Sequence, residues 1–367
     1  MAAKRETTYV IHLTGLMTAE SPLTTTTPPL KNRPYDSDAP APLPKMTVTY
    51  GDQRFTVPYM PGSGIRGKLR RCGVEVLRRV FPDGLKLHDY YYLAIGGVKG
   101  SGSENKSDFA AALARRKQNP LIGLFGAGVP WTQGRLSVSH AVPQQPISEQ
   151  YITGVRTDDI GKPDGGIAIL TPEEQALWTE MAYNNSRRSK KEHAVRRLKD
   201  DLKAKGLSDA DRIVLQAQIA ATEKEIAEHT AKAYSTNSVL RPLPGYEYIP
   251  QGTRLSHTMA LTHVNAHEIG AFLALMREFA FHPVIGAKAA HNSGVVSATW
   301  SFSIRESLSH DLVSQGTLAL RPYDNLDYDD KFLIDCAKGF ITALDSGAFD
   351  FSAPAARKAG AGDSDDE

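Results

Sequence analysis

The chain has 367 residues, 41% hydrophobic and 23% charged, enough for one large domain with insertions or two ordinary domains with a sizeable core. That composition excludes a wholly disordered or membrane-spanning chain: no apolar run approaches the ~18 residues that cross a bilayer, the polar start at Met1–Glu6 is unlike a secretory signal, and a cytoplasmic protein is expected. The net charge of +2 conceals two dense basic segments, so local binding of a polyanion fits the balance better than general stickiness.

In chain order, Tyr9, Ile11 and Leu13 alternate on one face of a first strand, which is expected to break at Thr14-Gly15. Residues 17–45 are rich in Thr and Pro and read as a long loop, because proline removes a backbone donor and fixes φ. Met46–Tyr50 and Arg54–Tyr59 flank Gly51-Asp52 as a hairpin. Pro61-Gly62-Ser63-Gly64 then leads into a helix whose apolar stripe is Ile65, Leu69, Cys72, Val76 and Val80, with Arg66, Arg70, Arg71 and Arg78 expected opposite it. A short helix ending at Arg115-Arg116-Lys117, a glycine-broken stretch at 121–128, a strand at Arg135–Ser139 and an extended Tyr151–Ile160 follow.

Thr171-Pro172-Glu173-Glu174 is a helix start, with a capping threonine and proline at the first helical position. Val195, Leu198 and Leu202 line one helix and Leu215, Ile219 and Ile226 a second, joined at Gly206-Leu207-Ser208. These seams are thin, so a projecting helical-hairpin insertion is expected. Arg187–Lys205 carries nine Lys/Arg against three acids, and the acids Glu223, Glu225 and Glu228 of the second helix are expected to face away from it. A strand at Arg254–Leu261, a helix at Ala266–Phe281, a strand at Val295–Ile304 and a helix at Asp329–Leu344 close the pattern. In the last strand Val296, Ala298, Trp300, Phe302 and Ile304 alternate with Ser297, Thr299, Ser301 and Ser303, the period of a sheet with one wet face. The element order gives an α+β fold with a split βαβ, ferredoxin-like core and long insertions. The expected division is 1–160 with 240–350 as the core, 161–239 as the hairpin, and 351–367 as a disordered acidic tail.

Two segments carry candidate chemistry. Pro58–Arg71 is a strand end, a glycine-rich turn and a basic helix, where backbone and helix N-terminus can approach phosphate; it lacks the Gly-Lys-Ser/Thr ending of a Walker loop. Ile285–Gly294 offers Lys288, His291, Asn292 and Ser293 on a glycine-bounded loop. The histidines show no metalloprotease or nucleophile-elbow spacing. His263 and His267 lie four apart but on either side of a turn, and Cys72 and Cys336 are too few for a thiolate zinc site or a disulfide framework; no metal and no cofactor are expected.

Taken together the motifs resemble the RAMP superfamily of CRISPR proteins, specifically the backbone subunit that coats guide RNA. They are Leu13-Thr14-Gly15-Leu16, Tyr59–Gly67, Leu124-Phe125-Gly126 ahead of Gly134–Val138, Ile152–Asp158, Ile249–Thr253 and Ile285–Gly294, in the family's order and over most of the chain outside the hairpin and tail. The hairpin makes the type IV backbone subunit the most similar. The resemblance implies an RRM-like palm with a thumb, no catalysis, and as partners CRISPR RNA, target DNA or RNA, further copies of the chain in a helical filament and other effector subunits. It implies RNA contact by Gly62, Ser63, Gly64, Arg66, Lys68, Arg70 and Arg71, assisted by Lys288, His291, Asn292 and Ser293, and a thumb at Ile152, Val155 and Arg156. For Arg187, Arg188, Lys190 and Lys191 the one-sided charge of the hairpin suggests target-strand contact. The alternative is an endoribonuclease using an acid of the 17–45 loop, Glu20, Asp36 or Asp38.

Overall fold

The computed structural model describes residues 6–25, 41–96, 109–128, 132–155, 169–203, 208–232 and 242–354. They form two compact units, Met1–Ile152 with Gly245–Glu367, and Thr153–Pro244. No helix among the described residues is long and apolar enough to cross a membrane.

In the first unit a core of β1 (Tyr9–Ala19), α1 (Gly62–Val76), β4 (Leu136–Val138), β8 (Arg254–Val264), α7 (Ala266–Phe281) and β9 (Val296–Glu306) follows the order βαββαβ. The strands lie side by side as β9-β1-β8-β4, every neighbouring pair antiparallel, which is the ferredoxin-like arrangement. β10 (Leu312–Leu320) and β11 (Leu326–Asp327) extend the sheet beyond β9, and β5 (Val142–Pro143) pairs with β8. A hairpin of β2 (Lys45–Tyr50) and β3 (Gln53–Pro58) turns at Gly51-Asp52, as its sequence predicts.

The expected break at Thr14-Gly15 does not occur: β1 pairs without interruption on β9 from Tyr9 to Ala19. Gly15 lies between His257 of β8 and Trp300 of β9. With no side chain at Gly15, the Trp300 indole reaches the imidazole and its Nε1–H donates to His257 Nδ1 at 3.1 Å. Both rings are about 1% exposed. The glycine therefore marks a close approach inside the strand rather than its end.

Burial pushes the His257 pKa down from 6.5 to about 4. Between those values an unfolded chain takes up a proton that the folded chain refuses, so stability falls as pH drops from 6.5 through 4 and levels off below. The loss is roughly 3 kcal/mol by proton linkage. Urea unfolding of His257→Gln, which keeps an acceptor for Trp300, is expected to lose this part of the pH dependence; an unchanged pH profile would contradict it.

One sheet face is covered. Ile11, Leu13, Met17, Leu255, Met259, Trp300, Phe302 and Ile304 join the main core with Ile65 and Leu69 of α1 and Ile269, Phe272 and Met276 of α7. α7 starts with a capping box at Asn265 and Glu268. The buried Glu268 carboxylate also accepts from Arg135 at 2.5 Å, tying the approach to β4 to that helix. α8 (Lys331–Asp345) adds Leu333, Cys336 and Phe340 to the core. Two further helices, α2 (Leu87–Ile95) and α3 (Phe109–Gln118), lead to a six-residue α4 (Pro120–Phe125) capped by Asn119. α2 and β10 have no counterpart in the sequence reading. Residue 351, where the disordered tail is expected to begin, is instead packed: Phe351 is 4% exposed and edge-on to Phe81, and Phe349 stacks on Phe340.

β6 (Gln150–Val155) and β7 (Pro242–Tyr248) pair as a two-stranded ribbon. The second unit is dominated by α5 (Pro172–Leu202) and α6 (Asp209–Lys232). Val195 and Ile219 are the buried members of its seam, and His229 Nδ1 lies 3.2 Å from the buried Asn184 Oδ1.

Candidate nucleic-acid interface

The turn before α1 is built by close packing. Met60 exchanges two backbone hydrogen bonds with Ala141, and the Gly62 N–H donates to His140 Nδ1 at 2.9 Å. A Cβ at Gly62 would lie 2.5 Å from the Val138 and Ser139 carbonyl oxygens, so only glycine fits. His140 is exposed and accepts through Nδ1, which leaves Nε2 as the nitrogen able to donate. The Tyr59 ring lies 4.7 Å from it.

Ser63, Gly64, Gly67, Lys68 and Arg71 follow one another along one side of α1, with Ser63, Gly64 and Arg71 exposed and Lys68 partly so. At Gly64 and Gly67 an added Cβ would meet no protein atom, which leaves that side smooth enough for another chain to approach the backbone.

Arg66 and Arg70 do not belong to this side, contrary to the sequence expectation. Arg66 donates to Phe125 O at 2.8 Å and Leu136 O at 3.2 Å. Arg70 is 8% exposed and donates to Leu93 O at 2.5 Å, Gly126 O at 3.1 Å and Tyr92 O at 3.2 Å. Both guanidinium groups lie over the Phe125 ring. Apart from Leu136 O in β4, the accepting carbonyls lie at the C-terminal ends of α2 and α4, where the helix dipole favours a cation. Burial, with repulsion from Arg66 second, lowers the Arg70 pKa to about 10, so it stays charged at neutral pH. Of the other basic residues in this segment, Arg78 pairs with Glu75 and Arg79 with Asp345. Lys68 and Arg71 are the members left pointing to solvent.

The second predicted segment comes to the same place. Gly286, at the base of the 285–294 loop, packs so closely on Met60 that a Cβ there would lie 2.9 Å from Met60 Cε. The loop is stitched to the chain after β1 by the Ala287 N–H to Thr24 O at 2.8 Å and the Gly294 N–H to Pro22 O at 2.9 Å. His291 and Asn292 are exposed, and Lys288 Nζ lies 5.5 Å from the centre of the Tyr246 ring. Ser293 is only 2% exposed, which removes it from any contact surface.

The uncovered sheet face adjoins this corner through Ser139, whose carbonyl packs on Gly62. Registered neighbours there are polar and small: His12 lies between Ala260 and Ser303, and Thr14 between Thr258 and Ser301. His12, Thr14, Ser137, Ser139 and Thr258 border a shallow cavity of about 300 Å³. The serine and threonine alternation of β9 announces this wet face, but its junction with Gly62 depends on tertiary packing.

Of the thumb residues, Ile152 is half-buried in β6 and Val155 ends that strand, while Arg156 lies outside the described residues. Asp36 and Asp38 also lie outside them; Glu20 accepts from the Ser297 hydroxyl at 2.5 Å. Among the described residues, no group of three or more His, Cys, Asp or Glu could hold a metal ion.

On the hairpin, the expected separation of charge is corrected. Glu225 pairs with Lys191, and Glu223 with Lys199 at 2.8 Å, so two of the acids face the basic helix instead of turning away. Arg188 lies 3.5 Å from Glu192. Arg187, stacked over the exposed Tyr183 ring, and Lys190 remain on the outer side of α5.

No protein-family model and no curated protein matches the chain. Among solved structures, a chain from one titled "Type IV-B CRISPR Complex" is similar over 80% of this chain and 90% of that one, with 18% sequence identity and a TM-score of 0.40.

Proposed function

We propose that this protein is a non-catalytic, multicopy subunit that binds CRISPR guide RNA, stacks with further copies into a helical filament and supports pairing with target nucleic acid. The observation that carries this reading is the meeting of the Tyr59–Gly64 turn and the Ile285–Gly294 loop at Met60 and Gly286. They are more than 200 residues apart in sequence and are two of the six motifs that carry the resemblance. Their junction borders a smooth, basic helix side and a hydroxyl-lined sheet face.

Ser63, Gly64, Lys68 and Arg71 serve as the phosphate contacts, with Lys288, His291 and Asn292 beside them, and His140 adds a donor. Arg66 and Arg70 hold the site in shape instead of touching RNA. Ile152, Val155 and Arg156 remain the proposed thumb, and Arg187 with Lys190 the proposed target-strand contacts. Guides differ in sequence and share only their backbone, so contact through phosphate is independent of sequence.

The double variant Lys68→Ala/Arg71→Ala tests the interface. Among the described residues neither side chain has a hydrogen-bond or ion-pair partner, so stability should change by no more than about 0.5 kcal/mol per site. Affinity for unrelated guide RNAs should fall alike. The slope of log K against log salt should flatten by about 1.4, since each lost contact to a single strand removes roughly 0.7. Unchanged binding, or a loss confined to one guide sequence, would contradict the assignment.

A further inference from the structure

A second cavity of about 610 Å³ in the first unit is bordered by Glu20 at the end of β1, Ser297, Asn292 and the Arg321-Pro322-Tyr323 turn after β10. It is an open cleft, wide enough for a flat ligand to lie against its wall. Tyr323 is 60% exposed there, and its ring with Pro322 offers a flat apolar wall. Asn292 supplies an amide and Glu20 a carboxylate. Among the described residues that border it, the one cation, Arg321, is ion-paired with Asp327 at 3.2 Å, which suits the cavity poorly to phosphate. An aromatic wall with both donors and acceptors at the rim suits an uncharged heterocycle.

The backbone singles out the same place. Among the described residues, five non-glycine residues have positive φ: His263, Lys288, Asn292, His310 and Tyr323. His263 lies at the register shift of β8 against β1, and His310 in the turn between β9 and β10. The other three belong to this cavity and its loop: Asn292 and Tyr323 border it, and Lys288 begins the short turn that Asn292 ends. A tyrosine at φ 61 is an outlier for a bulky residue. It is held there by its N–H, which donates to Ala280 O at 2.9 Å. Such strain persists where the surroundings enforce it and gathers at ligand sites. Here it aims an aromatic ring into solvent, where the core gains nothing from it.

We propose that this cavity takes a single unstacked base of the bound RNA, its face on Tyr323 and its edge toward Asn292 and Glu20. This rests on the RNA-binding reading above and adds a base contact to its phosphate contacts. The Lys288–Asn292 loop is shared by both sites, which places the cavity next to the proposed path of the strand.

The test measures equilibrium binding of a fluorescein-labelled 12-nucleotide single-stranded RNA, and of an abasic strand of the same length, to the full-length protein and to Tyr323→Gly and Tyr323→Phe. Wild type should prefer the base-bearing strand about tenfold, the scale of one base stacking on one aromatic ring. Tyr323→Gly should abolish that preference, leave the abasic affinity unchanged and melt no lower than wild type, because glycine accepts the positive φ. Tyr323→Phe should keep the preference. The proposal is overturned if Tyr323→Gly keeps the preference, weakens both strands alike or melts well below wild type, or if Tyr323→Phe loses it. Equal binding of both strands by wild type would remove the base site and leave the phosphate reading standing; binding of neither would remove both.

Discussion

Gly15→Ala is expected to cost about 4 kcal/mol or more of folding stability, a large share of the roughly 5–15 kcal/mol that holds a domain together. The added Cβ would lie 2.0 Å from the Thr299 carbonyl oxygen and 2.6 Å from Trp300 Cα. Both are backbone atoms of the neighbouring strand, so no side-chain rotation can relieve the clash. Ordinary overpacking of a core costs about 1–3 kcal/mol because side chains give way. Here β1 and β9 must part near the middle of an eleven-residue ladder, and the Trp300–His257 contact is disturbed with them. Gly64→Ala is the control: nothing lies within 4 Å of its added Cβ, and stability should stay within about 1 kcal/mol. Urea midpoints measure both. A Gly15→Ala protein as stable as Gly64→Ala would overturn the packing described for this strand.

The second large effect separates architecture from RNA contact within one helix. Arg70→Leu should destabilise the protein by about 3 kcal/mol, because it strips the charged donor from Leu93 O and Gly126 O, and buried acceptors left unmatched cost about 1–3 kcal/mol each. The loss of its contact with the Phe125 ring, 5.8 Å from the guanidinium carbon, adds to this. Arg70→Lys should recover little, since an ammonium cannot fork to several carbonyls. Under conditions where the variant is folded, its RNA affinity should match wild type, unlike that of the Lys68/Arg71 double variant. A stable Arg70→Leu protein with weakened RNA binding would reverse the roles given to Arg70 and Arg71.

Adjacent residues thus carry opposite roles, and their identities alone could not separate them. The apolar stripe of α1 is legible because Ile65, Leu69 and Cys72 repeat at helical spacing. The bonding of Arg66 and Arg70 depends on α2 and α4, distant segments whose ends come to lie beside that helix. β9 could be read directly, since its hydrophobic and hydroxyl residues alternate without exception from Val296 to Ile304. β10 escaped because its outer half, Leu312–Thr317, is exposed or half-buried and carries no such contrast. At the start of the expected tail, Phe351 with Phe349 just before it was the available signal: two aromatics two residues apart are unusual company for a solvated end, and they pack into the core. On the hairpin, net charge per helix concealed the pairs. Lys191 and Glu225 are 34 positions apart in sequence and meet only because α5 and α6 run side by side.

The candidate site was legible as two separate segments but not as one place. Composition could mark Gly62–Arg71 and Lys288–Asn292, but the Met60–Gly286 contact requires the fold. His140 was still less visible, because a lone histidine in a loop has no spacing to distinguish it, and its place comes from the hydrogen bond with Gly62.

In the proposed function many copies of this chain share one guide RNA. The measurement that tests this most directly is the mass and nucleic-acid content of the protein purified from cells that also transcribe a CRISPR array. The expected result is an oligomer in which several copies protect one RNA of guide length, and a Lys68→Ala/Arg71→Ala protein that loses the RNA while keeping its folded stability. A monomer free of nucleic acid would contradict it.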